Sequence, residues 1–475
     1  MDCYSDEKKT SYDYDLAIIG SGSAAFAAAI KASELGKSVA MIEKGLLGGT
    51  CVNVGCVPSK NLIRAAEAKY RAEHSHFAGI KTGSAEVNFK ALIQGKDHLV
   101  ASLRQAKYQS VLDKNQNIVR LEGHASFVDP HTIDISGRKI TAEKSLIATG
   151  SSPFVPNIDG LEGAGYLTST TAFELTELPK KIAVLGGGYI SLEIAQMFHR
   201  LGSKVTIIQR SRILFQEDDD IATEVQKNLE NEGVQILNRT TVESVKRGVG
   251  GVEIRINSSG NASTLIVDQI IVATGRKPNT TGLGLENAHV ELTKSGHTAV
   301  NEFCQTTQKN IYAAGDVTES PALVYVAAYE GNLAVDNAFS GNKRIVDYST
   351  VPWVIFSDPQ VAGVGLNEAQ AKGAGIEYDV SVLSFDNVPR SIAAQDTRGV
   401  IKLLRKTGTD QLIGARIVAP EGSELVMELS LVIKYKLPLS EVAGMMHPYL
   451  TLAEAVKLAM QTFDKDVKSL SCCAS

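Results

Sequence analysis

Cysteine is scarce in this sequence, six in 475 residues, too sparse for a disulfide scaffold. No uninterrupted apolar run approaches the roughly 18 residues that a membrane helix needs. The opening stretch, Met1 to Asp15, is polar and lacks the apolar core of a secretion signal. Neither sign of charge dominates. The 48 Lys and Arg against 53 Asp and Glu leave a net −5, which argues against a general nucleic-acid binder. The expectation is a soluble, cytoplasmic protein in a reducing compartment. There, closely spaced cysteines are more often redox or metal-binding than structural. Tryptophan occurs once, at Trp353, and reads as packing.

What is present is globular material. A chain 44% apolar and 21% charged is neither disordered nor fibrous. At about 100–200 residues per domain, the length suggests some three domains. The 41 glycines point to tight turns or close backbone approaches. The cysteines are unevenly placed: Cys3, Cys51, Cys56, Cys304, then Cys472 and Cys473 side by side.

Two halves repeat one pattern. Residues 14–19 form a short apolar run, read as a buried parallel strand. Gly20-Ser-Gly22-Ser-Ala-Ala25 follows, then an Ala-rich helix over Phe26 to Leu35 closed by Gly36, then a strand ending in Glu43. This order is the dinucleotide-binding fingerprint. Gly20 permits the tight turn, Gly22 lets backbone approach a pyrophosphate, and Ala25 lets helix and strand pack closely. The helix N-terminus offers N–H groups to the phosphates, and Glu43 can accept from ribose hydroxyls. The unit recurs with a strand at Lys181 to Leu185, the turn Gly186-Gly-Gly188-Tyr-Ile-Ser191, a helix to Leu201 and a strand at Lys204 to Ile208. Gln209 stands as far past Gly186 as Glu43 stands past Gly20. A carboxylate there repels a 2′-phosphate, whereas arginine accepts one. Gln209 with Arg210 and Arg212 therefore predicts NADPH rather than NADH at the second turn.

After Glu43 the chain reads Gly48-Gly-Thr50-Cys51-Val-Asn-Val-Gly-Cys56-Val-Pro-Ser-Lys60. A crosslink between Cys51 and Cys56 closes only a tiny loop and constrains little. As a zinc half-site the pair lacks a second Cys/His pair at suitable spacing. A redox dithiol remains. A helical pattern after Pro58 places it near a helix N-terminus, where thiolate is favoured.

These residues resemble the active site of the flavin-dependent disulfide reductases. The resemblance runs nearly end to end, through Ala148-Thr149-Gly150, Ala273-Thr-Gly275-Arg-Lys-Pro278-Asn and Ala314-Gly315-Asp316. It implies an α/β fold with two Rossmann-like dinucleotide-binding domains and a C-terminal α+β dimerisation domain. FAD is implied on the first unit and NADPH on the second. Cys56 is implied as the thiol nearest the flavin and Cys51 as the one that meets substrate. The resemblance also sets Lys60 by the flavin with Glu193 as partner, Asp316 on the ribityl chain, and Tyr189 as an aromatic gate over the nicotinamide pocket.

The C-terminal region discriminates among substrates. Disulfide-reducing members carry His-Pro-Thr-Leu-x-Glu, with the His as acid/base for a thiol leaving group. Here the chain reads His447-Pro448-Tyr449-Leu450-Thr451-Leu452-Ala453-Glu454. Aligning Thr451-Leu452-x-Glu454 puts Tyr449 where the His belongs. An ordinary tyrosine, with a pKa of about 10, is a poor proton shuttle at neutral pH. The alternative register makes His447 the base. The tail ends in Cys472-Cys473-Ala-Ser475, two soft donors that suit a soft metal ion. Together these details look like the mercury-reducing branch of the family. The tail pair would capture Hg(II), arriving as thiol complexes, and pass it to Cys51 and Cys56 for reduction to Hg(0). Tyr449 would line the metal site, acting on the partner subunit of a homodimer. Ahead of the flavin strand this sequence carries only Cys3, with no Cys-x-x-Cys; Cys3 is assigned no task and Cys304 is read as filler.

The expected boundaries are 1–150 for the FAD part, 151–278 for the NADPH part, 279–348 for a return to the flavin domain and 349–475 for the interface domain. The main rival is a large-type thioredoxin reductase, some of which also end in Cys-Cys. A rival from another class is a thiol metal buffer without catalysis.

Overall fold

A computed structural model describes residues 11–467. Two compact units emerge. The first comprises Met1–Pro58, Asp97–Ser152 and Arg276–Val346, and the second Ser59–Lys96, Pro153–Gly275 and Asp347–Ser475.

In the first unit, β1 (Tyr14–Ile19) lies between β2 (Val39–Glu43) and β6 (Arg138–Ile147), parallel to both. β3 (Ile118–Glu122) extends the sheet beyond β2. The strand Ile311–Ala313 pairs with β6, as does β5 (Thr132–Ile135), which carries β4 (Ala125–Phe127). β1 is an unbroken apolar run because its inner residues, Leu16 to Ile19, are buried. Helix α1 (Ser23–Glu34) follows the glycine turn, starting three residues before the apolar pattern does. Its alanines let the helix Val324–Ser340 pack against it backbone to backbone. A Cβ on Gly331 would lie 2.2 Å from the Ala24 carbonyl oxygen.

Two helices bear the first cysteine pair. The short α2 (Gly49–Asn53) carries Cys51, and α3 (Cys56–Glu73) begins at Cys56, two residues ahead of Pro58. Proline is tolerated there because the first-turn N–H groups have no intrahelical acceptor.

In the second unit, the strand–turn–helix pattern recurs. β7 (Lys181–Leu185) lies between β8 (Lys204–Ile208) and the strand Gln269–Val272, parallel to both. Helix α4 (Tyr189–Leu201) follows its glycine turn. Residues 59–96 join this unit because Leu62, Ala66, Phe89 and Ile93 share a core with Ile182, Leu192 and Phe198. A five-stranded antiparallel sheet completes it. In sheet order these strands are β9 (Trp353–Ile355), β10 (Gln360–Gly365), β13 (Leu412–Ala419), β12 (Val400–Lys406) and β11 (Tyr378–Ser384). Helices Val426–Lys434 and Ala453–Gln461 cover its core. No helix among the described residues is long and apolar enough to cross a membrane.

Candidate active site

The two glycine turns share one geometry. Gly20 has φ +114°, and a Cβ there would lie 2.3 Å from the Ala148 carbonyl oxygen; Gly186 has φ +113°, with a Cβ 2.3 Å from that of Ala273. Each turn is thus pressed against the end of a neighbouring strand, which only glycine permits. Ser191 Oγ donates to the Ala273 carbonyl at 3.0 Å, tying α4 to the same point. Gly22 and Gly188 are the N-caps of α1 and α4, in extended backbone, and neither helix has a side-chain cap. Their N-termini can therefore hold phosphate. Ala25 is fully buried under α1.

Beside the first turn lies an open pocket bounded by Gly20, Glu43, Gly123, Thr149 and Asn279. Glu43 is held at its rim: Oε2 accepts from Ser21 Oγ at 2.7 Å and Oε1 from the Gly45 N–H at 2.7 Å. Thr149 Oγ1 donates to the Asn279 carbonyl at 2.7 Å, and Gly150 is left-handed at φ +66°. Asp316 Oδ2 accepts from Ser151 Oγ at 2.7 Å, with Arg276 Nε 3.7 Å away. Glu330, buried on the helix Val324–Ser340, accepts the Gly315 N–H at 2.6 Å and so braces the turn that presents Asp316. These residues fit the adenosine and ribityl ends of FAD.

Cys51 and Cys56 are both half-buried. Tyr108 identifies their common neighbourhood: burial pushes its hydroxyl up, and the charges of both cysteines push it the same way. Arg276 is pulled below the usual guanidinium range by burial, against Asp316 and Cys56. Thr50 is exposed on α2 beside Cys51. Tyr108 belongs to no short motif; Arg276 lies within the Ala273-to-Asn279 motif, but nothing in the sequence gave either residue a role.

One turn along α3 from Cys56, Lys60 Nζ donates to Glu193 Oε2 at 2.7 Å, the pair expected. Glu193 Oε1 accepts the Phe356 N–H at 2.9 Å, and the Lys60 ammonium lies 4.8 Å from the Phe356 ring centroid. Tyr189, first residue of α4, stacks on Trp353 with centroids 5.1 Å apart. At the second turn, Arg212 directs its guanidinium to the carbonyls of Ile213, Leu214 and Glu217 and to Asp219. Arg210 is exposed beside Gln209. Gly275, at φ +137°, gives its carbonyl to the Phe154 N–H.

In the C-terminal region, Glu454 Oε2 is buried and has no hydrogen-bond partner among the described residues. His447 Nε2 lies 3.2 Å from Glu428 Oε1, and its Nδ1 lies 3.1 Å from the Met445 carbonyl. Glu428, not Glu454, is thus the carboxylate beside this histidine. Tyr449 is half exposed. Cys472 and Cys473 lie outside the described residues, as does Cys3. Cys304 is buried, and that burial pushes its thiol far up, away from reactivity.

Residues 14–331 match the model of pyridine nucleotide-disulphide oxidoreductases, and residues 351–460 that of their dimerisation domain. Mercuric reductase from Lysinibacillus sphaericus is 46% identical over 97% of this chain and 85% of its own length. That from Streptomyces lividans is 45% identical over 97% of this chain and 98% of its own. Among solved structures, the HOCl-induced flavoprotein disulfide reductase RclA from Escherichia coli superposes with a TM-score of 0.85 at 31% identity. That match covers 94% of this chain and 99% of RclA. The chain belongs to the pyridine nucleotide-disulphide oxidoreductase family, and groups there with the mercuric reductases.

Proposed function

We propose that the chain catalyses NADPH-dependent reduction of Hg(II), with Cys51 and Cys56 as the thiols that hold the metal. The observation that carries the reading is Glu454, whose buried carboxylate oxygen meets no histidine, while Tyr449 occupies the aligned position. A disulfide reductase needs that histidine to protonate a leaving thiol; a metal held by two thiolates does not. The identity to mercuric reductases supports the same substrate.

FAD, when bound, supplies the two-electron link in the balanced reaction NADPH + Hg(II) → NADP⁺ + H⁺ + Hg(0). The protein's own residues do the rest. Gly20, Gly22 and Glu43 bind the flavin nucleotide, and Asp316 orients its ribityl chain. Gly186, Gly188 and Arg210 bind NADPH, and Tyr189 closes over the nicotinamide. Cys472 and Cys473 take Hg(II) from small-thiol complexes. Each transfer to Cys51 or Cys56 forms one S–Hg bond and breaks another, the incoming thiol's proton leaving with the displaced thiolate. Lys60, paired with Glu193, holds a positive charge near Cys56 on α3. Tyr449 lines the metal site, and the enzyme works as a homodimer through the dimerisation domain.

The test compares NADPH oxidation driven by Hg(II) in excess small thiol with oxidation driven by oxidised thioredoxin. Turnover is expected with the metal alone; turnover with thioredoxin and none with Hg(II) overturns the reading. Replacing both Cys472 and Cys473 by Ala is expected to slow turnover most when competing thiols hold the metal.

A further inference from the structure

Tyr189 is the first residue of α4, directly after the glycine turn. A dinucleotide's pyrophosphate sits at such a helix N-terminus, so the Tyr189 ring stands beside any nucleotide bound there. Trp353 stacks on that ring, at 5.1 Å between centroids and 23° between planes.

Trp353 is itself fixed by its neighbours in the sheet. In the antiparallel sheet, Trp353 on β9 faces Gly363 on β10, and Gly363 faces Arg416 on β13. The indole lies close against the glycine: a Cβ on Gly363 would fall 2.5 Å from Trp353 Cζ2. The Arg416 guanidinium lies 5.3 Å from the indole ring centroid, within cation–π range. Arg416 is itself only 1% exposed and immobilised, its Nε donating to Glu217 Oε2 at 2.6 Å and its Nη1 to the Ala415 carbonyl at 2.8 Å. Helix and strand are also latched below the stack. Glu193 accepts the Phe356 N–H at 2.9 Å, and Gln196 Oε1 accepts the Asp358 N–H at 2.8 Å. Tyr189 thus packs on a tryptophan that is itself held against Gly363 and the immobilised Arg416.

We propose that Trp353 is a positioning residue for nucleotide binding: it supports the Tyr189 ring as the wall against which the nicotinamide half of NADPH rests. This rests on the assignment of NADPH to the second glycine turn. An unsupported ring must be ordered when the nucleotide binds, which weakens affinity. An offset aromatic pair is worth enough to alter affinity about three- to tenfold.

The chain's only tryptophan is the probe. With the FAD-loaded enzyme, NADP⁺ is titrated while tryptophan emission is followed, and binding is measured independently by equilibrium dialysis. The expected result is a saturable emission change in the wild type, absent in Tyr189→Ala although NADP⁺ still binds. Trp353→Ala is expected to raise the NADPH KM for flavin reduction about three- to tenfold, with the limiting rate within about twofold. Trp353→Phe restores the KM because a flat ring returns. Binding of NADP⁺ without any emission change in the wild type overturns the support role and leaves the nucleotide assignment standing. Absence of NADP⁺ binding by dialysis overturns both. The wild-type titration decides the matter even if Trp353→Ala fails to fold.

Discussion

Glu193 has two tasks that a single substitution separates. One oxygen holds the Lys60 ammonium and the other the Phe356 N–H. Glu193→Gln keeps the size and an acceptor for Phe356 but removes the charge. Hydrogen bonds to charged groups are worth about 1.5–3 kcal/mol. Flavin reduction by NADPH is therefore expected to slow on the order of ten- to a hundredfold, read by stopped-flow bleaching of the flavin. A rate within twofold of wild type contradicts a role for the pair in that step. Tyr449→Phe tests the other half-reaction. Removing one hydroxyl is expected to lower Hg(II)-driven turnover about tenfold, while NADPH still bleaches the flavin at the wild-type rate. An equal loss in both half-reactions rejects Tyr449 as part of the metal site.

At the scale of the element, the turns are more demanding than the helices they start. Gly20→Ala puts a Cβ against the Ala148 carbonyl oxygen at a positive φ, and Gly331→Ala drives one into the Ala24 carbonyl. Strain and overpacking of this kind cost about 1–3 kcal/mol each. Both variants are expected to lower Tm and retain less FAD. Gly79→Ala, where nothing lies within 4 Å, serves as control and is expected to do neither; equal behaviour of all three contradicts the close-approach argument. The two strand–turn–helix units were legible in the sequence because every feature they need is local: an apolar run, glycines at fixed offsets, a helix beside them. Lys60 and Glu193 were legible only through family resemblance. The partners Tyr108, Trp353, Phe356 and Glu428 were not legible, because each is an ordinary side chain brought to its place by tertiary packing from a distant part of the chain. Trp353 read as mere filling, since nothing local marks a residue facing a glycine on the next strand. Arg212, adjacent to the informative Gln209, has its guanidinium engaged by nearby carbonyls, a local fold-back that no residue count reveals.

For the whole molecule, charge and apolar surface make separate demands. Burial pushes the Asp396 carboxyl up, but hydrogen bonding and charge from Arg398 hold it below the usual range. Asp347, largely solvated, is brought down to about 2, chiefly by Lys434. A carboxylate with a folded pKa below its unfolded value adds stability above the unfolded value, near 4, and loses it as pH falls toward the folded one. The urea midpoint is expected to be nearly flat from about pH 5 to 8 and to fall below about pH 4. Asp396→Asn should flatten that acid limb; an unchanged limb rejects the assignment. The dimerisation domain exposes Met427, Leu431, Tyr435, Met445, Met446 and Leu450, apolar side chains that a second copy would cover. Light scattering is expected to give twice the 50.8 kDa chain mass, and a monomer at micromolar concentration contradicts the homodimer.

Electron flow from NADPH to mercury is measured most directly as the ratio of Hg(0) vapour released to NADPH consumed, in a sealed cell with Hg(II) and excess small thiol. One Hg(0) per NADPH is expected, abolished by Cys51→Ser or Cys56→Ser. NADPH consumption without vapour, or metal binding that persists with neither, contradicts it.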